Sequence, residues 1–314
     1  MTRVAVLGTG AWGLNHVRIA SSTTGSELVA MVDVDRGARD RASACAPAVP
    51  CLSDPDRILT DRSIEAVVIA TASPSHAALA IAALDAGKHV LVEKPLALSM
   101  VDARRISEAQ RAETVAMVGH LMVFHPAVVR LRELVRAGEV GEVQYVRASR
   151  AHMGRVRADE SVLWSLGPHE LSMLDHVLGW VPETVSASGR CVASAGVEDV
   201  VVLDLRYPGG ALAQLHLSRC HARKERVLTV IGASHSVELD ELADPPLYEL
   251  GGQQYAVAKG EPLRLQFEHF LHCVRTRAVP RNDLASALRV TRVLDAAQRS
   301  LATGQRVRVA TKVD

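Results

Sequence analysis

The sequence predicts an α/β protein in two parts. The N-terminal part is a Rossmann-type doubly wound parallel sheet, and the C-terminal part is an α+β domain on an open, mainly antiparallel sheet. Three observations predict this. Short apolar runs alternate with helical patterns from residue 3 to 118. A Gly-x-Gly-x-x-Gly stretch follows the first apolar run directly. After Val118 the rhythm changes to longer alternating runs divided by turn signals such as Tyr207-Pro208-Gly209-Gly210.

Taken in order, strands are expected at 3–7, 27–33, 65–70, 88–92 and 115–118, and helices at 11–22, 36–44, 75–86 and 99–111, with Ser75 placed to cap the third. An amphipathic helix over 126–137 carries Val128, Val129, Leu131, Leu134 and Val135 and ends at Gly138. Strands follow at 142–152, 182–193, 198–206, 211–219, 226–231 and 235–239, with a helix over 168–178 between the first two. Helices over 262–277 and 283–303 close the chain. The boundary falls at 119–125, giving domains 1–120 and 121–314, with the last helix able to pack back on the first domain. Small-molecule pockets favour such domain junctions, and His120 to Pro126 forms the hinge.

Each glycine of the first turn has its own physical reason. Gly8 allows a tight strand-to-helix turn, Gly10 lets backbone approach a pyrophosphate, and Gly13 lets the helix pack close to the strand. Thr9 and Trp12 lie within the same loop. The helix N-terminus offers free N–H groups to the pyrophosphate. Asp33 ends the second strand, 20 residues after Gly13, where a carboxylate accepts hydrogen bonds from ribose hydroxyls and repels a 2′-phosphate. NAD is therefore the expected cofactor, and Arg36 keeps NADP open as an alternative. Ligands of such sheets sit at the carboxyl ends of the strands, which adds Thr71, His76, Glu93 and Lys94. Val90-Leu91-Val92 buries a central strand, two opposite charges follow, and Pro95 stops it. A lysine beside a dinucleotide site can hydrogen-bond a substrate hydroxyl; a surface ion pair at a strand end is the competing reading.

In the second part, Gly167-Pro168 starts a helix and projects His169 from its first turn. Histidine suits proton removal near neutral pH, as oxidation of a secondary alcohol needs. Upstream, Arg147, Arg150, His152, Arg155 and Arg157 approach Trp164; they read either as a grip for phosphate or carboxylate or as a solvated basic rim.

Lys and Arg total 36 against 35 Asp and Glu, a net charge of +1 that gives nucleic acid or an anionic membrane no handle. No apolar run reaches membrane-span length, and the first strand begins too early to leave room for a signal peptide. Five cysteines without CxxC or zinc spacing read as reduced thiols in a cytoplasmic protein, and no metal site is expected.

These residues resemble the glucose–fructose oxidoreductase / inositol dehydrogenase / MocA family of NAD(P)-dependent oxidoreductases. The resemblance spans essentially the whole chain. It is carried by Gly8-Thr-Gly-Ala-Trp-Gly13, Asp33, Ala86-Gly-Lys-His-Val-Leu-Val-Glu93-Lys94-Pro95-Leu-Ala, Gly138-Glu-Val-Gly-Glu-Val143, Gly167-Pro-His169 and the helix Glu268-His-Phe-Leu-His-Cys-Val-Arg275. It implies Lys94 as the catalytic lysine, His169 as its histidine partner, and association through the open sheet into homodimers or homotetramers. The stretch from Arg147 to Leu178 looks most like members that act on sugar nucleotides, some of which oxidise the sugar at C3. Arg155, Trp164, Ser165 and His125 would then shape the substrate side. Ser165 stands where many relatives carry Asp in an Asp-x-x-x-His pattern, and His125-Pro126 where many carry Asn-Pro. A serine hydrogen-bonds but supplies no charge to the imidazole. Lys94 then carries more of the proton transfer, the enzyme runs as a ketone reductase, or the site is impaired. The alternatives are a dehydrogenase of a free cyclitol or sugar, an imine reductase, or a non-catalytic dinucleotide-binding sensor.

Overall fold

The computed structural model describes residues 1–154, 160–193 and 196–310. The chain divides into two compact units: Met1–Leu121 with Glu261–Leu288, and Met122–Gly260 with the described residues from Arg289 onward.

The first unit contains β1 (Thr2–Leu7), α1 (Gly13–Ser22), β2 (Ser26–Val32), α2 (Arg36–Cys45), β3 (Cys51–Leu52), α3 (Asp56–Leu59), β4 (Ala66–Ile69), α4 (His76–Asp85), β5 (His89–Val92), α5 (Met100–Ala109) and β6 (Ala116–Val118). The six strands are parallel in the order β3-β2-β1-β4-β5-β6. The order reverses between β1 and β4, the switch point where a doubly wound sheet opens at its carboxyl ends. Every residue of β4 and β5 is buried, as near-continuous apolar runs in central parallel strands require. Asp35 caps α2 by accepting from the Ala38 N–H at 2.7 Å, and Ser99 caps α5 by accepting from Asp102 at 3.1 Å. Ser75 does not cap α4. It lies in a short 3₁₀ turn, Ser73–Ser75, and its hydroxyl instead donates to Ala72 O at 2.8 Å and hydrogen-bonds the Thr71 hydroxyl at 2.7 Å.

The second unit opens with α6 (Pro126–Arg136) and β7 (Val143–Met153), then α7 (Val162–Ser165), α8 (Gly167–Leu178), β8 (Thr184–Arg190), β9 (Val200–Arg206), β10 (Leu212–Ser218), β11 (Cys220–Gly232), β12 (Ser236–Asp240) and β13 (Leu247–Glu249). Near the end of the chain come α9 (Pro262–Thr276), α10 (Leu284–Thr303) and β14 (Val307–Arg308). The eight-stranded sheet runs β13-β12-β11-β7-β10-β9-β8-β14 and is antiparallel except between β7 and β10. Along β10, Ala213, Leu215 and Leu217 are buried while Leu212 and Gln214 face out, the alternation of a sheet covered on one face. α9 packs against α1 and belongs to the first unit, so that unit is assembled from two stretches of chain.

The short β3, β13 and β14 and the one-turn helices α3 and α7 are additions to the expected elements. β11 begins at Cys220 rather than 226 because Cys220 and residues from Glu225 onward pair with β7. Among the described residues no helix is long and apolar enough to cross a membrane.

Candidate functional site

At the carboxyl end of β1 the chain turns on Gly8, whose φ is +90°. A Cβ on Gly8 would stand 2.6 Å from Thr71 N, and one on Gly13 would stand 2.0 Å from the Gly8 carbonyl oxygen, so both positions exclude a side chain. A Cβ on Gly10 would meet nothing within 4 Å, which leaves that backbone open to approach. Asp33 is already fixed as an acceptor. One oxygen takes the Thr9 N–H at 2.7 Å and the Thr9 hydroxyl at 3.3 Å; the other takes the Asp35 N–H at 2.9 Å. Each carboxylate oxygen accepts more than one hydrogen bond, so ribose hydroxyls still find acceptor positions. The unobstructed backbone at Gly10, the loop N–H groups and this anchored carboxylate fit a dinucleotide.

Arg36 is exposed at the start of α2. One turn on, Arg39 donates to the main-chain carbonyls of Asp33 and Val34 at 2.8 and 3.0 Å, holding the end of β2 in place. Arg39 is not among the sequence candidates; its i+6 spacing from Asp33 is the available signal. Cys51, the first residue of neighbouring β3, hydrogen-bonds Thr9, and its thiol is pushed up by burial. His76 bonds the Pro95 carbonyl through Nδ1 at 2.8 Å and the Thr71 carbonyl through Nε2 at 3.1 Å. It ties the turn after β4 to the Glu-Lys-Pro turn, which is a structural role for its ring.

The carboxyl end of β5 contains a cluster that the sequence only half showed. Glu93 is 4% exposed. Its Oε1 lies 2.8 Å from His16 Nε2, and its Oε2 accepts the Lys94 N–H at 3.1 Å. The Trp12 side chain also hydrogen-bonds Glu93, and the Trp12 indole stands edge-on to His16 with ring centroids 6.3 Å apart. Burial works to raise the Glu93 carboxyl, but the His16 hydrogen bond and charge, the Trp12 hydrogen bond and the Lys94 charge together hold it below the usual carboxylate range. A Cβ on Gly119 would stand 2.8 Å from the Glu93 carboxyl carbon, so the glycine after β6 makes the room. His120 follows it, buried, and is pushed down to about 4, chiefly by burial, with Glu93 raising it and Lys94 lowering it. It is therefore a neutral imidazole at physiological pH. His16, Gly119 and His120 were not among the sequence candidates; their positions at α1 and just past a strand end were the only clues.

In the second unit, Pro168 sits in the first turn of α8 and His169 follows it, half-buried, its carbonyl accepting from Ser172 Oγ at 2.9 Å. Ser165, at the end of α7, donates from Oγ to the Ser161 carbonyl at 3.1 Å. Trp164 is buried, and its indole N–H donates to Gln298 at 3.1 Å, which makes it a packing anchor between α7 and α10. His125 caps α6, accepting the Ala127 N–H at 3.2 Å; burial lowers its imidazole, Glu241 raises it and Arg150 lowers it. Arg155 and Arg157 lie outside the described residues. Arg147 faces out from β7 and acts on Glu225 and His216 of the same sheet face. Arg150 is not a free anion grip. It is 5% exposed and pairs through Nε with Glu170 and through Nη2 with Glu241, which Arg226 also reaches at 3.4 Å. Burial, chiefly, and the like charge of Glu241 hold the Glu170 carboxyl above the usual range despite Arg150.

A family model described as "Oxidoreductase family, NAD-binding Rossmann fold" matches residues 2–120, and the GFO/IDH/MocA C-terminal domain matches 128–238. The chain is 25% identical over 299 residues to the scyllo-inositol 2-dehydrogenase (NAD(+)) of Bacillus subtilis, an alignment covering 88% of this chain and 87% of that protein. Among solved structures, GenD2 from gentamicin A biosynthesis in complex with NAD is similar with a TM-score of 0.87 and 25% identity over 99% of this chain and 97% of the other. The WlbA dehydrogenase of Bordetella pertussis, in complex with NADH and UDP-GlcNAcA, shares the fold with a TM-score of 0.87, 23% identity and 99% coverage of both chains.

Proposed function

This chain belongs to the GFO/IDH/MocA family of NAD-binding oxidoreductases, and from that premise we propose that it interconverts a secondary alcohol and a ketone on a sugar or cyclitol ring. The observation that carries the reading is the lysine turn. Lys94 leaves the carboxyl end of a central strand, β5, beside a buried carboxylate and a neutral imidazole; β4 alone separates β5 from β1, the strand that leads into the dinucleotide loop.

The roles follow from the residues. Gly8, Thr9, Gly10, Trp12 and Gly13 form the loop for the pyrophosphate, and Asp33 receives the ribose hydroxyls. NAD bound there supplies the hydride-accepting ring. Lys94 donates an N–H to the substrate oxygen and stabilises the negative charge that grows on it. His169 takes the hydroxyl proton during oxidation and returns it during reduction. Ser165 brings no charge to His169, so the Lys94 contribution is correspondingly larger.

Two ring classes compete. The relatives named as inositol dehydrogenases favour a free cyclitol or sugar. The basic stretch from Arg147 to Arg157 favours a nucleotide-linked ring oxidised or reduced at C3, yet Arg150 is neutralised inside the unit, and that weights the reading toward a free ring. Purified protein is mixed with NAD or NADP and with inositols, free sugars and sugar nucleotides, and absorbance is followed in the reduced-nicotinamide band. We expect a rise with NAD and a free polyol. A rise with sugar nucleotides alone reverses the substrate assignment. Tight NAD binding without turnover on any ring in either direction contradicts the enzymatic reading and favours a sensor.

A further inference from the structure

We propose that Glu93 is a positioning residue: one buried carboxylate couples the dinucleotide loop to the lysine turn and holds a fixed negative charge next to Lys94. The inference rests on the reading of Lys94 above.

Three separate elements converge on this carboxylate. From α1 comes His16, at 2.8 Å; from the glycine loop comes the Trp12 side chain; from its own turn comes the Lys94 main-chain N–H, at 3.1 Å. Trp12 sits between Gly10 and Gly13 and is 43% exposed, so nothing in the apolar core explains where it is held; its bond to Glu93 does. A glycine is needed at 119 to admit the carboxyl group. The groups facing Glu93 and Lys94 from the surrounding elements are His16 on α1, Trp12 in the loop, His120 after β6, and His76 at the start of α4, the last on the Pro95 carbonyl. Among these groups Glu93 is the carboxylate, and its charge and that of Lys94 act on each other. The interaction is reciprocal: the Lys94 charge favours the Glu93 anion, and the Glu93 anion favours the Lys94 cation.

Two consequences are separable. The charge of Glu93 sets the protonation of Lys94, and its hydrogen bonds set the loop. Glu93→Gln keeps an acceptor oxygen and the side-chain shape but removes the charge. The pH dependence of Lys94 acylation by an amine-selective reagent, read peptide by peptide in a mass spectrometer, reports the ammonium directly and requires no substrate. In Glu93→Gln the apparent Lys94 pKa should fall by about 1 pH unit, and the alkaline limb of the kcat profile should fall with it. Trp12→Phe alters an exposed side chain, keeps the charge and removes one donor to Glu93. It should raise the Kd for NAD about fivefold, the scale of one lost hydrogen bond, with the Lys94 labelling pKa unmoved. An unshifted labelling pKa in Glu93→Gln, or an unchanged NAD Kd in Trp12→Phe, overturns the inference. A shifted labelling pKa with an unmoved kcat limb supports the pairing and contradicts the catalytic reading of Lys94 instead.

Discussion

Glu93 in the first unit and Glu170 in the second are both almost fully buried, at 4% and 1% exposure, yet their carboxyl groups shift in opposite directions. Burial pushes both up. Around Glu93, His16 and Trp12 offer hydrogen bonds, and the Lys94 cation adds a favourable charge. Around Glu170, the buried Arg150 guanidinium is shared with a second carboxylate, Glu241, which Arg226 also reaches and which pushes back on Glu170. The difference teaches that burial alone does not fix a group's ionisation. What decides it is whether the donors converge on one carboxylate or are divided between two. The first arrangement suits a site that must hold a fixed negative charge beside a working lysine; the second knits β7, α8 and the turn after β12 into one fold.

The largest effect should come from breaking the shared cation. Arg150→Met takes the guanidinium from the buried Glu170 and leaves Glu241 with Arg226 alone, and should cost about 3–5 kcal/mol, measured by urea unfolding of the whole chain. A cost under about 1 kcal/mol would mean the cluster is solvated. The same substitution then separates the two glutamates. Near neutral pH, Glu93→Gln should destabilise by about 1.5–3 kcal/mol, since it removes an acceptor held by charge-assisted bonds, while Glu170→Gln should cost less, since burial and the Glu241 charge already oppose the Glu170 anion. Equal costs would erase the contrast. The pH dependence has opposite signs. Glu93 titrates lower folded than unfolded, so its contribution is present above its ordinary value of 4.5 and is lost as pH falls through the folded value. Glu170 titrates higher when folded, so its contribution is full below 4.5 and is lost as pH rises through the folded value. The Glu93→Gln penalty should therefore shrink on acidification, and any Glu170→Gln penalty should not.

What could be read in advance follows from range along the chain. The dinucleotide loop is a local motif, and its glycines, the strand end at Asp33 and the Glu-Lys-Pro turn all stand within single stretches. The helices and long strands were legible from periodicity. β3 and β14, two residues each, and β13, three, exist only because a neighbouring strand pairs with them, so no periodicity announces them. Glu93 announced itself as a charge at a strand end, but its partner His16 lies 77 residues away. Arg150 looked like an anion grip because Glu170 and Glu241 are 20 and 91 residues distant and carry no pattern linking them to it. His76, Trp164 and His125 have the chemistry of site residues, but the structure shows each in a packing or capping bond that sequence does not reveal.

The most direct measurement is Lys94→Ala, assayed for NAD binding and for turnover of the ring substrate found in the panel. NAD should bind as in the parent protein, because the loop and Asp33 are untouched, while kcat should fall by about a hundredfold or more, the scale of losing a group that handles the substrate oxygen and its proton. Turnover retained within a few-fold of the parent would contradict the assignment of Lys94, and with it the account of why Glu93 is buried beside it.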